Sequence, residues 1–221
     1  MPTTPDAPRP RLTRDRVIDA AVAIMDSDGA DALTFRSLGR TLDVDHTAVL
    51  RHFRNKNDLL LALADRLLRE AVGAIEPSND WRETLRVLGH SVRNACRTHP
   101  HVAVAVAGRT VRSEAEFAGA DLVIGALLSA GIEGAEAASY YRALVDVALS
   151  YAALEAAIAT LPADDLAADR LAWSREYQSV DPDRFPNLAS VAEHLPDVDD
   201  QDQFEVALGL FIDAIEVRAS R

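Results

Sequence analysis

An all-α fold is what this chain predicts, and three observations carry the prediction. Apolar residues recur at i, i+3 and i+4 along most of the sequence, the spacing of helices that each bury one face. From residue 80 onward the chain is rich in Ala and Leu, both strong helix formers. The one run that alternates like a strand, HVAVAVAG at 101–108, is Ala-rich and follows a proline among helical patterns, so it reads as helix as well. The organisation expected is an N-terminal three-helix unit with a helix-turn-helix, residues 12–56, followed by a larger helical body, residues 57–221.

Taken in order, the Pro-rich start MPTTPDAPRPR cannot form a helix and reads as a disordered arm. Arg9 and Arg11 in it are either solvated or within reach of a phosphate or minor groove. Residues 14–28 form a first helix with Val17, Ala21, Ile24 and Met25 inward and Gly29 as its stop. Thr34 is a good N-cap for a second helix, whose Leu38 and Leu42 repeat at i, i+4. Asp43 and Val44 make a turn, and Asp45 caps a third helix, 46–52, with Val49 and Phe53 four apart and inward. A longer helix runs from Asn57 to about Ile75, with Pro77 ending it. The body then reads as helices over 80–98, 113–130, 133–161, 163–178 and 202–217. A long Pro- and Asp-rich connection precedes the last of them, with one helical turn around 187–194. No internal repeat is evident.

The second and third helices bury one face and leave His46, Thr47, Leu50, Arg51 and His52 on the others, followed by Arg54 and Lys56. No acidic residue occurs from 46 to 56, and Lys56 is the only lysine in the chain. Such a pair is shaped and charged to enter a DNA major groove. The formal net charge of −12 argues against nucleic acid until it is divided. Residues 1–58 carry nine basic and nine acidic side chains, so the whole excess of negative charge lies in residues 59–221. An acidic body with a locally basic edge orients a molecule on DNA.

Residues 13–63 resemble the DNA-binding domain of the TetR family of transcriptional repressors. The ordered features that carry the likeness are DGADALTFRSLGR, the LDV turn and RHFRNKNDLL. The resemblance implies base contacts from Arg36, His46, Thr47 and Ala48, with Arg36 suited to pair with a guanine edge. It implies backbone contacts from Thr34, Arg51, His52 and Lys56, with Phe35 and Leu50 also at the interface. His52 has an alternative as a packed residue. Two positions depart from the family pattern. Asp43 stands where glycine is usual, and Leu50 stands where a tyrosine usually meets a phosphate.

The body resembles, more weakly, the regulatory domain of the tetracycline-repressor branch, through LxxLGHSVRNACRTHP, LLSAGIEGAEA, FPNL and QFEVALGLFIDAI. That likeness implies a homodimer built on helices 133–160 and 202–217 and a cavity for a small-molecule effector. Phe204, Leu208, Phe211, Ile212 and Ile215 are many large apolar residues for a terminal helix, which fits burial in a dimer; closure of the monomer's own core is the alternative. Trp81, His90, Asn94, Arg109, Tyr140 and Glu155 are candidate pocket residues, each with an equally good alternative as a core or surface residue. Val106 takes the place of the magnesium-binding histidine of tetracycline-binding members, so tetracycline–magnesium is not the expected effector.

Neither a cofactor nor a metal is expected, since the one suggestive spacing, His99-Pro100-His101, lacks a third ligand. Catalytic arrangements are also missing from the sequence, so it is not read as an enzyme. The single cysteine, Cys96, excludes an intramolecular disulfide and fits a reducing cytoplasm. The apolar runs are too short and interrupted to span a bilayer, so no membrane partner is expected. The expectation is a repressor that binds a palindromic operator as a homodimer and is released by a small molecule. Two alternatives are a regulator whose body binds a protein partner and a helical enzyme with a vestigial reading head.

Overall fold

The computed structural model describes residues 11–73, 75–76, 78–198 and 202–220. Twelve α-helices occur among them, with three short 3-10 turns and no strand. The head contains α1 (Arg14–Asp28), α2 (Phe35–Thr41) and α3 (His46–Leu50), and α4 (Lys56–Val72) leads out of it. The body follows with α5 (Trp81–Thr98), α6 (Pro100–Val106), α7 (Glu114–Ser129) and α8 (Gly134–Ala159). Next come α9 (Ala163–Arg175), the single turns α10 (Pro186–Ala189) and α11 (Leu195–Val198), and α12 (Gln203–Ala219).

Helix starts are set by local capping chemistry. The hydroxyls of Thr13 and Ser113 and the side-chain oxygens of Asp45, Asn55, Asp80 and Asp202 each accept a backbone amide of the first turn. Thr34 and Ser37 form a reciprocal capping box at α2. Pro100 at the first position of α6 lacks only an amide that would be unpaired there. Residues 101–106 are therefore helical, with Val102, Ala103 and Val106 buried on one face.

Several boundaries differ from expectation. The third helix closes at Leu50 and does not run to 52. Arg14 Nη1 donates to the His52 carbonyl at 2.8 Å, and the chain turns there to present Asn55 as the cap of α4. That helix starts one residue earlier than expected and ends at Val72, where Gly73 follows. Pro77 and Arg9 lie outside the described residues. The stretch 163–178 breaks after Arg175 into a 3-10 turn, Tyr177–Ser179.

Two apolar cores result. The head core gathers Val17, Ala21, Met25, Leu33, Leu38, Val49 and Phe53 with the first half of α4, and Val102, Ala103 and Val106 of α6 join it. The body core gathers Leu85, Leu88, Val123, Leu127 and Leu144 with Phe204, Leu208, Ile212 and Ile215 of α12. The large apolar residues of the last helix therefore close the monomer's own core, and Phe211 is half-buried beside them. A second face of α12 is left uncovered: Val206, Leu210 and Val217 are 46%, 66% and 59% exposed. Leu154 and Ile158 of α8 are exposed as well.

Candidate DNA-reading head and effector cavity

The head positions its reading surface through one close approach and one left-handed turn. A Cβ on Gly39 would stand 2.9 Å from the Val44 carbonyl oxygen and 3.2 Å from the His46 amide, so α2 and α3 cross at the only distance a glycine allows. The turn between them is closed by the Val44 amide donating to the Gly39 carbonyl at 2.9 Å. Asp43 occupies the left-handed region at φ 52°, a conformation aspartate tolerates better than most residues. Val49 and Phe53 are fully buried and fix the orientation of α3. Arg14 then latches the far side: its guanidinium stacks 4.1 Å from the Phe53 ring centroid and pairs with Asp58 at 3.3 Å.

This frame leaves Arg36, His46, Thr47, Leu50 and Arg51 exposed around α2 and α3, and Lys56 exposed at the start of α4. Thr34 is exposed, with its hydroxyl committed to the capping box. Phe35 is half-buried and packs on the head core, so its ring is chiefly a support for α2. Ala48 and the His52 side chain are also half-buried. Asp45 takes both the amide and the hydroxyl of Thr47, at 2.8 and 2.6 Å. Those hydrogen bonds, the hydroxyl's first, hold the Asp45 carboxyl below its ordinary value.

In the body, α4, α5, α6, α7, α8 and α12 enclose a cavity of about 180 Å³. One water needs roughly 10–15 Å³ of such space, so a multi-ring organic molecule fits. The walls are apolar and built largely of small side chains: Ala64 and Ala71 from α4, Ala103 from α6, Ala120 from α7, Ala148 and Ala153 from α8. Leu85, Leu88, Val92, Val123 and Leu144 supply the bulk. Polar groups on the wall are few, namely Arg109, Glu116, Tyr141 and the Cys96 thiol. Burial, and then the nearby Glu155 charge, push that thiol up to about 11, so it stays neutral at pH 7.

Of the six polar or aromatic residues expected to line a pocket, Arg109 alone is on this wall. The others lie elsewhere, most of them with partners of their own. Glu155 pairs with Arg93, whose Nε lies 2.7 Å from it, and Arg93 Nη1 reaches Asp202 at 2.7 Å. This clamp ties α5 to α8 and to the first turn of α12. His90 pairs with Glu205 and tilts against the Phe204 ring at 5.5 Å. Asn94 and His90 line a shallow polar groove on the outer side of α5, with Glu83 and Arg86. Trp81 carries Arg82 on its ring at 4.4 Å, and Tyr140 is half-buried beside the Glu136–Arg218 pair. Val92, Leu144 and Ala148, which do form the wall, carry no chemical mark that separates them from core residues.

His99 and His101 do not come together on a ligand. His99 contacts Asp26 of α1 at 2.8 Å and Glu70 of α4 at 3.7 Å, while the His101 ring lies by Gly29. Among the described residues no group of three His, Cys, Asp or Glu side chains is arranged to hold a metal, and no single helix is long and apolar enough to cross a membrane.

Comparison with known proteins agrees with this geometry. Residues 17–63 match the profile described as bacterial regulatory proteins, tetR family, and residues 75–219 match that of the tetracyclin repressor-like C-terminal domain. An HTH-type transcriptional regulator of Saccharopolyspora erythraea is 28% identical over 128 residues, 58% of this chain and 54% of that protein. The chain spans about half the length of the curated relatives it matches. The Streptomyces coelicolor TetR family protein ActR, solved in complex with actinorhodin, superposes with a TM-score of 0.83 at 25% identity, covering 96% of this chain and all (100%) of that one. BioQ, solved with its double-stranded DNA operator, gives a TM-score of 0.62 at 25% identity, over 93% and 99% of the two chains. With the second profile alone covering well over half of its length, the chain belongs to the TetR family of bacterial transcriptional regulators.

Proposed function

We propose that this regulator is a ligand-responsive repressor that binds a two-fold symmetric operator as a homodimer. In each copy α3 enters a major groove. His46, Thr47 and Ala48 face base edges there, joined by Arg36 from α2, while Thr34, Arg51, His52 and Lys56 hold the backbone. Phe35 braces α2 from within, and Leu50 offers an apolar contact to a sugar or a thymine methyl. The dimer forms across α8 and α12, whose uncovered Leu154, Ile158, Leu210 and Val217 are apolar surface that a second copy buries.

The observation that carries the regulatory part is the double membership of α6. Ala103 and Val106 belong to the head core and to the cavity wall at once. A molecule that fills the cavity presses on the same helix that packs the head. A ligand with different affinity for two head arrangements shifts DNA binding by that difference and no more. The actinorhodin complex of ActR supports the reading of this cavity as an effector site. DNA in the BioQ structure supports the assignment of the reading face.

The test is selection of random duplexes by full-length protein at fixed physiological salt. The expected result is a two-fold symmetric motif with half-sites about one helical turn apart or somewhat more. Arg36→Ala is expected to relax the motif at one base pair, costing about 1–3 kcal/mol there. Lys56→Ala should weaken all sequences alike and reduce the salt slope by about one. Enrichment of no motif, even at low salt, overturns the proposal.

A further inference from the structure

We propose that the effector is an organic anion, a mostly apolar molecule with one acidic group, and that this group engages Arg109 and draws it away from Asn57. The proposal rests on the reading of the cavity as the effector site and adds the ligand's charge and the first step of the response.

Among the described residues Arg109 is the one cation on the wall, and the Tyr141 hydroxyl is a neutral donor in the same lining. The Glu116 carboxylate is already taken by the Arg112 backbone amide, and the Cys96 thiol is a neutral, weak donor. Arg109, which lines the cavity but is exposed, differs from the buried Arg93, which has two carboxylates. Among the described residues no carboxylate lies within 4.0 Å of the Arg109 guanidinium, whose partner is the neutral Asn57 side-chain oxygen. An exposed positive charge thus borders an apolar wall, with no carboxylate among the described residues within ion-pair distance of it. A ligand carboxylate, sulfonate or ionised phenol supplies a charged partner, and a charged hydrogen bond is stronger than the neutral one to Asn57.

The same side chain reaches the head. Asn57 is the second residue of α4 and follows Lys56, the expected backbone contact. Next to it, Asp58 holds both Arg14 and the Arg54 amide. A bidentate contact needs two coplanar N–H groups on one edge of the guanidinium. Turning that edge into the cavity carries Nη2 off Asn57 and releases the start of α4 from the body. Ligand and head then compete for one arginine, which is a coupling between two sites.

The experiment uses full-length protein and two dyes with the same ring system. One is 8-anilinonaphthalene-1-sulfonate, and the other is N-phenyl-1-naphthylamine, which lacks the sulfonate. Wild type is expected to bind the sulfonate more tightly by about tenfold or more, the usual effect of a charged hydrogen bond. Arg109→Ala should bind the two dyes alike, with the neutral dye held as in wild type. Arg109→Gln serves the same purpose if circular dichroism shows the alanine variant unfolded. At saturation the sulfonate should weaken wild-type binding to the selected duplex about tenfold. Asn57→Ala should bind the dye normally yet change its DNA affinity less than about twofold. Equal affinity of wild type for both dyes, a preference that survives loss of Arg109, or an Asn57→Ala variant that responds as wild type overturns the proposal while the cavity stands as a site. Dye binding that is absent, or that persists undiminished in a cavity-filling Ala148→Phe variant, overturns the cavity reading itself.

Discussion

Gly39 shows how much of the reading head hangs on a single missing side chain. Gly39→Ala sets a methyl 2.9 Å from a backbone carbonyl oxygen, which cannot rotate aside, so α2 and α3 must part. The expected cost is about 1–3 kcal/mol by thermal unfolding, with weaker operator binding because the spacing of the exposed residues changes. Asp43 carries the opposite lesson. Its departure from the usual glycine is absorbed as a left-handed aspartate, so the turn keeps its form. Asp43 was legible in the sequence as a turn residue, since turn chemistry is local. That α2 and α3 touch at Gly39 was not, because the contact exists only once the helices cross.

At the scale of elements, the clamp of Arg93 on Glu155 and Asp202 ties three helices whose sequences are far apart. Removing the arginine leaves two partly exposed carboxylates without their shared partner. Arg93→Met is expected to destabilise by about 2 kcal/mol, reduced from the fully buried case by the exposure of both acids. The pH dependence follows from Asp202, whose carboxyl is held below its ordinary 3.8, chiefly by the hydrogen bond from Arg93. A depressed carboxylate stabilises above its unfolded value and loses that contribution as pH falls through the folded one. Asp202→Asn should therefore be less stable than wild type above about pH 4, and the gap should narrow in denaturant titrations as the pH is taken progressively below that.

Helix limits were readable to within about three residues, because Thr34, Asp45, Asp80 and the stop at Gly29 act over one turn of chain. The cavity was not readable. Sequence reasoning sought polar residues on apolar helices, but Glu155 and His90 are polar for the sake of partners on other helices, and Tyr140 for Glu136 one turn away. The wall of this cavity is made largely of Ala, Leu and Val that look like any core.

The whole molecule pairs an acidic body with a head whose basic residues lie around α2, α3 and the start of α4. Its last helix is amphipathic in an unusual sense, with one apolar face closing the monomer and another facing outward. The sequence argument for a dimer relied on Phe204, Leu208, Ile212 and Ile215, which the monomer uses for itself. The outward set, Val206, Leu210 and Val217, is the one left exposed for the proposed dimer. A Leu154→Asp, Leu210→Asp double variant is expected to sediment as a monomer with an unchanged helical spectrum, and to lose affinity for the symmetric site far more than for a half-site. A variant that remains dimeric places the interface on another face.

The alanine-lined cavity has a consequence for how this sensor changes over generations. Alanine is the most favourable helix residue, so Ala120, Ala148 and Ala153 keep the walls stable while leaving space beside each methyl. Exchange for Val, Leu or Phe at any of them adds bulk into emptiness, avoiding the strain that overpacking a filled core brings. Cavity size and outline can thus drift one codon at a time through residues that take no part in the head core. The scaffold becomes a mould whose interior can be recast, and recast deliberately, by varying three positions.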